Sequence, residues 1–215
     1  MLRQDDRGFS LIELLVTIVI IGIIAVPLGN VIISFLRNTD ATTARLSESH
    51  DAQISAAYFA ADVASIGVRS TTYSSNPAAP YPLTQSIEQN APATGGLFPC
   101  GTAATPNAVI RFGWDDYTSA SAAAVIQRRV AYVSMPDASG QAQLHRLVCA
   151  GSAAVVTDTV IAHHLASVSA SCTPSPCTGS GAATPLVVKL ALTIHDQQAT
   201  DANYQLELTG QRRQS

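Results

Sequence analysis

Charge is scarce in this chain. Only 13% of its 215 residues are Asp, Glu, Lys or Arg, lysine occurs once, at Lys189, and the formal net charge is −3. That balance excludes a broad basic surface able to track a phosphate backbone. The signatures of catalysis are missing as well. No G-x-S-x-G elbow, H-E-x-x-H helix or Gly-rich phosphate loop occurs, and no paired carboxylates stand in a Gly-rich context, so an enzyme is not expected. There is no internal repeat and no heptad array, which excludes solenoids and extended coiled coils. An ordinary secretory signal is lacking too. It would need an apolar core of about 7–15 residues followed by a small-residue cleavage site, and no A-x-A stands between the apolar run and Arg37.

What is present is one long apolar run. Phe9–Leu36 spans roughly 28 residues, enough to cross about 30 Å of hydrocarbon. It follows a polar leader, Met1–Gly8, in which Arg3 and Arg7 are offset by Asp5 and Asp6. A single carboxylate, Glu13, lies inside the run near its start. A charge there costs on the order of 2.5 kcal/mol or more, so it is retained for a partner. Gly22, Pro27 and Gly29 interrupt the run, and Pro27 has no N–H for the carbonyl of Ile23, so a kink is expected at Gly22–Pro27.

The helix is expected to continue past the membrane. Residues 37–67 read as a stalk, without Pro or Gly from Thr39 to Ile66. Leu46, His50, Ile54, Ala57, Ala61 and Ala64 recur at three- and four-residue steps and form the expected apolar face. Arg45, Glu48, Gln53 and Asp62 fall opposite. On this reading His50 is packed rather than catalytic.

Residues 68–215 form the remaining domain. Ser70–Asn107 and Cys172–Pro185 are rich in Ser, Thr, Pro and Gly and read as irregular loops. Strand signals lie at Ala108–Trp114, ending in an Asp115-Asp116 turn, then at Val125–Met135, Gln141–Cys149, Val155–Ile161 and Leu165–Ser171. Leu186, Val188, Leu190, Leu192 and Ile194 alternate with more polar neighbours, as do Tyr204, Leu206 and Leu208. Period-two alternation indicates an antiparallel sheet covered on one face, and the stalk is the natural cover.

Four cysteines, Cys100, Cys149, Cys172 and Cys177, all follow the apolar run, which suits two disulfides on the non-cytoplasmic side. Cys172-Thr-Pro-Ser-Pro-Cys177 is a bent loop that favours local closure, leaving Cys100 with Cys149. Zinc is the rival, but a C-x4-C spacing without a suitably placed His argues against it. No cofactor is expected. His163-His164 reads as a surface or loop pair, because neighbours in a strand face opposite ways. Asp115-Asp116 beside Trp114 reads as a turn, with calcium as the alternative. Arg128-Arg129 and Arg212-Arg213 are the only basic pairs and make a weak case for DNA.

The segment Arg7-Gly8-Phe9-Ser10-Leu11-Ile12-Glu13-Leu14-Leu15, continuing to about Ala25, closely resembles the type IV prepilin N-terminal motif. The resemblance implies cleavage after Gly8 by a membrane prepilin peptidase and N-methylation of Phe9. The Phe9 ammonium would then pair with Glu13, commonly that of a neighbouring subunit, which is how a buried carboxylate becomes tolerable. It also implies a type IV pilin fold of α+β class, with a long kinked helix on an antiparallel sheet. The N-terminus would be cytoplasmic and the domain extracytoplasmic. Partners would be other pilin subunits and, for extraction from the lipid, a platform protein and a cytosolic ATPase. Asp51–Val63, the Val130-Ala-Tyr-Val strand and the closing Arg212-Arg213 resemble J-type minor pseudopilins and W-type minor pilins. A DNA- or surface-binding pilin subunit is the alternative. Intact mass of protein from its native membrane tests this reading. It should show loss of Met1–Gly8, one added methyl group and a gain of about four hydrogens on reduction, two per disulfide; an uncleaved chain would leave only a membrane-anchored domain.

Overall fold

A computed structural model describes residues 10–117, 125–178, 184–195 and 203–213. The chain forms two compact units, Met1–Arg45 and Leu46–Ser215. The first is helical where described. Helix α1 (Leu11–Ser65) begins here and runs unbroken past Gly22 and Pro27. Its segment Leu11–Thr39, 29 residues with mean hydropathy 2.8, is long and apolar enough to cross a membrane. Its apolar side chains are exposed, as suits a helix whose solvent is lipid.

The second unit contains the end of α1 and eight strands: β1 (Ile87–Ala91), β2 (Ala108–Tyr117), β3 (Val125–Pro136), β4 (Ala142–Ala150), β5 (Val155–Ala162), β6 (Leu165–Thr173), β7 (Val187–His195) and β8 (Asn203–Gln211). They make two antiparallel sheets, β1-β2-β3-β4-β5 and β6-β7-β8, rather than one. The break falls at His163-His164, where β5 and β6 meet without pairing. His164 takes a positive φ of 52°, and Asp51 of α1 accepts hydrogen bonds from the His163 backbone N–H, at 3.1 Å, and pairs with its Nδ1, at 2.7 Å. The turn is thus tied to the helix.

Two sequence expectations fail here. β1 lies inside the segment read as irregular. Its centre, Glu88-Gln89-Asn90, is polar and hides the signal, and only Ile87 and Ala91 are buried. Asp115 and Asp116 lie within β2, not in a turn. Asp116 pairs with Arg128 across the β2–β3 ladder at 3.0 Å, and Asp115 accepts the Arg69 N–H at 3.1 Å.

The core forms where α1 meets the sheets. Tyr132 packs edge to face with Phe59 and Phe112, which are tilted against each other, all with ring centroids 5.5–5.9 Å apart. Val63, Ile66, Leu190, Leu192 and Leu208 surround them. A second cluster, Cys100, Ala108, Ala131, Val133, Leu147 and Cys149, lies on the other face of the five-stranded sheet. Burial on both faces explains why Val130, Ala131, Tyr132 and Val133 are all fully enclosed. The loop that carries Cys100 supplies this second cover. Cys100–Cys149 closes a separation of 49 residues, a constraint on the unfolded chain of about 4 kcal/mol in the loop-entropy view. Arg111, with no exposure, gives hydrogen bonds to Glu88 Oε2 and to the carbonyls of Pro92 and Gly95 at 2.7–2.9 Å. Glu88 in turn accepts the N–H groups of Leu97 and Phe98. Burial pulls the Arg111 guanidinium below its usual range, with Glu88 opposing. Cys172–Cys177 closes the short loop after β6 and seats Cys177 in the core.

Strand β8 comes close to the helix at Gly210. A Cβ there would overlap the Val63 side chain. Gly210→Val should therefore overpack the interface and cost about 1–3 kcal/mol, seen as a lower Tm of the full chain in detergent. An unchanged Tm would mean that β8 does not lie this close to α1.

Candidate assembly site

The motif residues stand at the start of α1. Gly8 and Phe9 lie outside the described residues. Ser10 caps the helix: its carbonyl accepts the N–H groups of Glu13, at 3.0 Å, and Leu14, at 3.2 Å, and its Oγ lies 3.3 Å from the Glu13 N–H. Ser10-Leu-Ile-Glu13 has the S-x-x-E form of a capping box, a local signal that the sequence reading passed over. Only the serine half is made. The Glu13 side chain has no hydrogen bond or ion pair among the described residues. Thr17 donates its hydroxyl to the Glu13 carbonyl at 2.6 Å and is satisfied within the helix. An acidic group in the first turn suits the helix dipole, but that gain does not replace a counter-charge in lipid.

The second unit holds a carboxylate with the opposite fate. Asp62, expected on the solvent face of the stalk, is only 3% exposed. Arg146 of β4 grips it with two hydrogen bonds, Nε to Oδ2 at 2.7 Å and a terminal nitrogen to Oδ1 at 2.6 Å. The Tyr132 hydroxyl of β3 donates to Oδ2 at 2.6 Å, and the Arg146 guanidinium lies 4.7 Å from the ring centre of Tyr58. Burial, then the Asp62 charge, pushes the Tyr132 hydroxyl well above its ordinary range. Burial alone would lower the Arg146 guanidinium, but the hydrogen bonds and charge of Asp62 outweigh it and the net direction is up. Tyr132 thus keeps its proton and Arg146 its charge at neutral pH, as the pairing needs.

This corrects the expected phase of the stalk. The buried positions are Ser55, Phe59, Asp62, Val63 and Ile66, whereas Leu46, His50, Ala57 and Ala61 are exposed. Alanine covers several faces of this segment, so its spacing alone does not fix which face is inside. His50 is therefore not packed.

The remaining candidates are placed plainly. Gly22 and Pro27 lie in the exposed apolar segment of α1. His163 and His164 do not share a ligand. They contact Asp51 and Gln141 respectively, and no group of three or more His, Cys, Asp or Glu is gathered for a metal among the described residues. Arg129 bonds to Gln127 and the Pro99 carbonyl, and Arg212 to the Pro185 carbonyl. Arg213 gives its backbone N–H to the Ala64 carbonyl.

Residues 3–29 match the family described as the prokaryotic N-terminal methylation motif. The match covers the leader and the first part of α1 and supports a type IV prepilin-like chain, anchored in the membrane by a single N-terminal helix. No curated protein and no solved structure matches the chain.

Removing one member of a buried ion pair strands the other. Asp62→Ala should cost about 3–5 kcal/mol, read by denaturant or thermal unfolding of the full chain. Asp62→Leu combined with Arg146→Met should recover part of that loss, because neither charge is left alone. A single variant as stable as the native chain would contradict the buried pairing.

Proposed function

We propose that this chain is a minor pilin or pseudopilin subunit, whose work is assembly into, or priming of, a type IV pilus or a secretion pseudopilus rather than catalysis. The observation that carries the reading is Glu13: a carboxylate in a 29-residue apolar helix without a partner among the described residues. Prepilin cleavage after Gly8 would create a new ammonium on Phe9, four residues before that carboxylate. N-methylation of Phe9 preserves the positive charge. In the assembled state the ammonium of one subunit meets Glu13 of the next, and the pair sets axial register while neutralising both charges in a dry core.

The second unit is then the presented domain, outside the cytoplasm, where its two disulfides suit an oxidising compartment. A platform protein and a cytosolic ATPase would extract the subunit from the lipid. The segment Asp51–Val63 serves this reading as a stalk, since Asp51 and Asp62 both fasten the helix to the strands. The J-type and W-type minor subunits are the class that the segment Asp51–Val63 resembles. Of the basic pairs behind the DNA-binding alternative, Arg128 and Arg129 make their described contacts within the domain.

Glu13→Ala should leave membrane insertion intact, since the apolar run is unchanged. Incorporation into sheared filaments should fall about tenfold or more, in line with a lost charge-assisted contact of about 1.5–3 kcal/mol. Immunoblots of the membrane and sheared fractions measure both, and normal filament levels from the variant would count against the proposal.

A further inference from the structure

The chain that leaves α1 doubles back beside the end of the β2–β3 ladder. Gly67 bridges to Trp114, and Arg69 pairs with Leu83. The Thr84 N–H reaches the Val68 carbonyl and the Ser70 N–H the Pro82 carbonyl, both at 2.8 Å. Arg69 fastens this segment on two sides. Its backbone N–H donates to Asp115 Oδ2 at 3.1 Å and its Nη1 to the Tyr81 carbonyl at 3.0 Å. Between the segment and the strands lies a cleft of about 720 Å³, within the range of roughly 300–1,000 Å³ usual for small-molecule sites.

The lining sets an acceptor beside a donor. Asp115 of β2 and Gln127 of β3 are register partners, so their side chains stand next to each other on one sheet face. Asp115 Oδ2 is taken by Arg69, while Oδ1 has no partner among the described residues. Gln127 Oε1 accepts two hydrogen bonds from Arg129, at 3.1 and 2.9 Å, and its Nε2 has no partner among the described residues. Tyr81, 47% exposed, supplies an aromatic wall. Tyr73 meets its ring edge-on at a centroid distance of 6.0 Å and steadies its orientation. Val68 and Val125 add apolar surface. Arg69 and Asp115 are the charged groups among the described residues of the lining, and their charges cancel. Such a site favours neither a phosphate nor a cation.

We propose that this cleft binds a neutral saccharide of one or two rings. A pyranose has a flat C–H face, which suits the exposed ring of Tyr81, and a rim of hydroxyls. Each hydroxyl both donates and accepts, so two adjacent ones satisfy Asp115 Oδ1 and Gln127 Nε2 together. An extended peptide offers donors and acceptors but no flat apolar face beside them. The inference goes beyond the assembly reading and is independent of the pairing assigned to Glu13. It concerns what the second unit touches, whichever filament carries it.

The test uses the full chain in phosphatidylcholine nanodiscs, which carry no sugar headgroup. Maltose, lactose and N,N′-diacetylchitobiose are titrated separately, and saturation-transfer NMR of the sugar protons gives each Kd. At least one should bind with a Kd of about 1 mM or lower. Tyr81→Ala should weaken that binding about fivefold or more through the lost ring. Asp115→Asn keeps an oxygen for the Arg69 N–H but turns the open acceptor into a donor, and should weaken binding about tenfold or more. Tyr81→Phe, which keeps the ring, should bind like the native chain. So should Tyr204→Ala, which removes an exposed ring of β8 away from the cleft. No saturation transfer to any of the three sugars up to about 10 mM, ten times a millimolar Kd, would overturn the proposal. Binding unchanged by both Tyr81→Ala and Asp115→Asn would also overturn it, by placing the sugar elsewhere. Transfer to the capped tripeptide acetyl-Ala-Ser-Ala-amide that Asp115→Asn abolishes, with none to the sugars, would overturn it in favour of a peptide site.

Discussion

A carboxylate survives in a low-dielectric medium only when a counter-charge and hydrogen bonds replace its lost water. Helix α1 meets this constraint twice. Asp62 meets it inside the fold, where Arg146 and Tyr132 supply three hydrogen bonds and the paired charge. Glu13 meets the same physics in lipid, and among the described residues only its backbone is hydrogen-bonded. The first carboxylate locks the helix to the sheet in one register, because a slip of one residue would leave a buried charge alone. The second has no counter-charge among the described residues, and on the proposed reading another subunit supplies it.

Around the Asp62 lock, the second unit is organised to hold one helix face in place. The Phe59–Phe112–Tyr132 cluster fills the space beside it, Gly210 lets β8 come close to Val63, and Asp51 fixes the turn at His163. The far face of the five-stranded sheet is closed by a loop rather than a second helix. The Cys100–Cys149 bond and the Arg111–Glu88 pair fasten it at two points.

The N-terminal unit was legible in the sequence because lipid dictates composition directly: a long apolar run with one carboxylate admits few interpretations. Strands β2 to β8 were legible through alternation, though Asp115 and Asp116 disguised the end of β2. The second sheet and β1 were not. Sheet membership depends on how a turn is held, and β1 is kept in place by contacts such as Glu88–Arg111 that no local window contains. The most consequential misreading was Asp62. Its partners lie 70 and 84 residues away, so it read as an ordinary solvent-facing acid. The alanines of the stalk compounded the error, because they suit several helix phases equally well. Phe59, Val63 and Ile66 decide the phase, and they do so only through the sheet they meet.

The central claim is that the Glu13 carboxylate is completed by the N-terminal ammonium of another subunit. Zero-length carbodiimide coupling of assembled filaments, built from a mixture of light and heavy isotope-labelled chains, tests it most directly. Mass spectrometry of the N-terminal peptides should then show an amide between the Phe9 nitrogen of one chain and the Glu13 carboxyl of another, with mixed light–heavy products. Filaments that contain the chain but yield no such bond, or only products joined within one chain, would contradict the account.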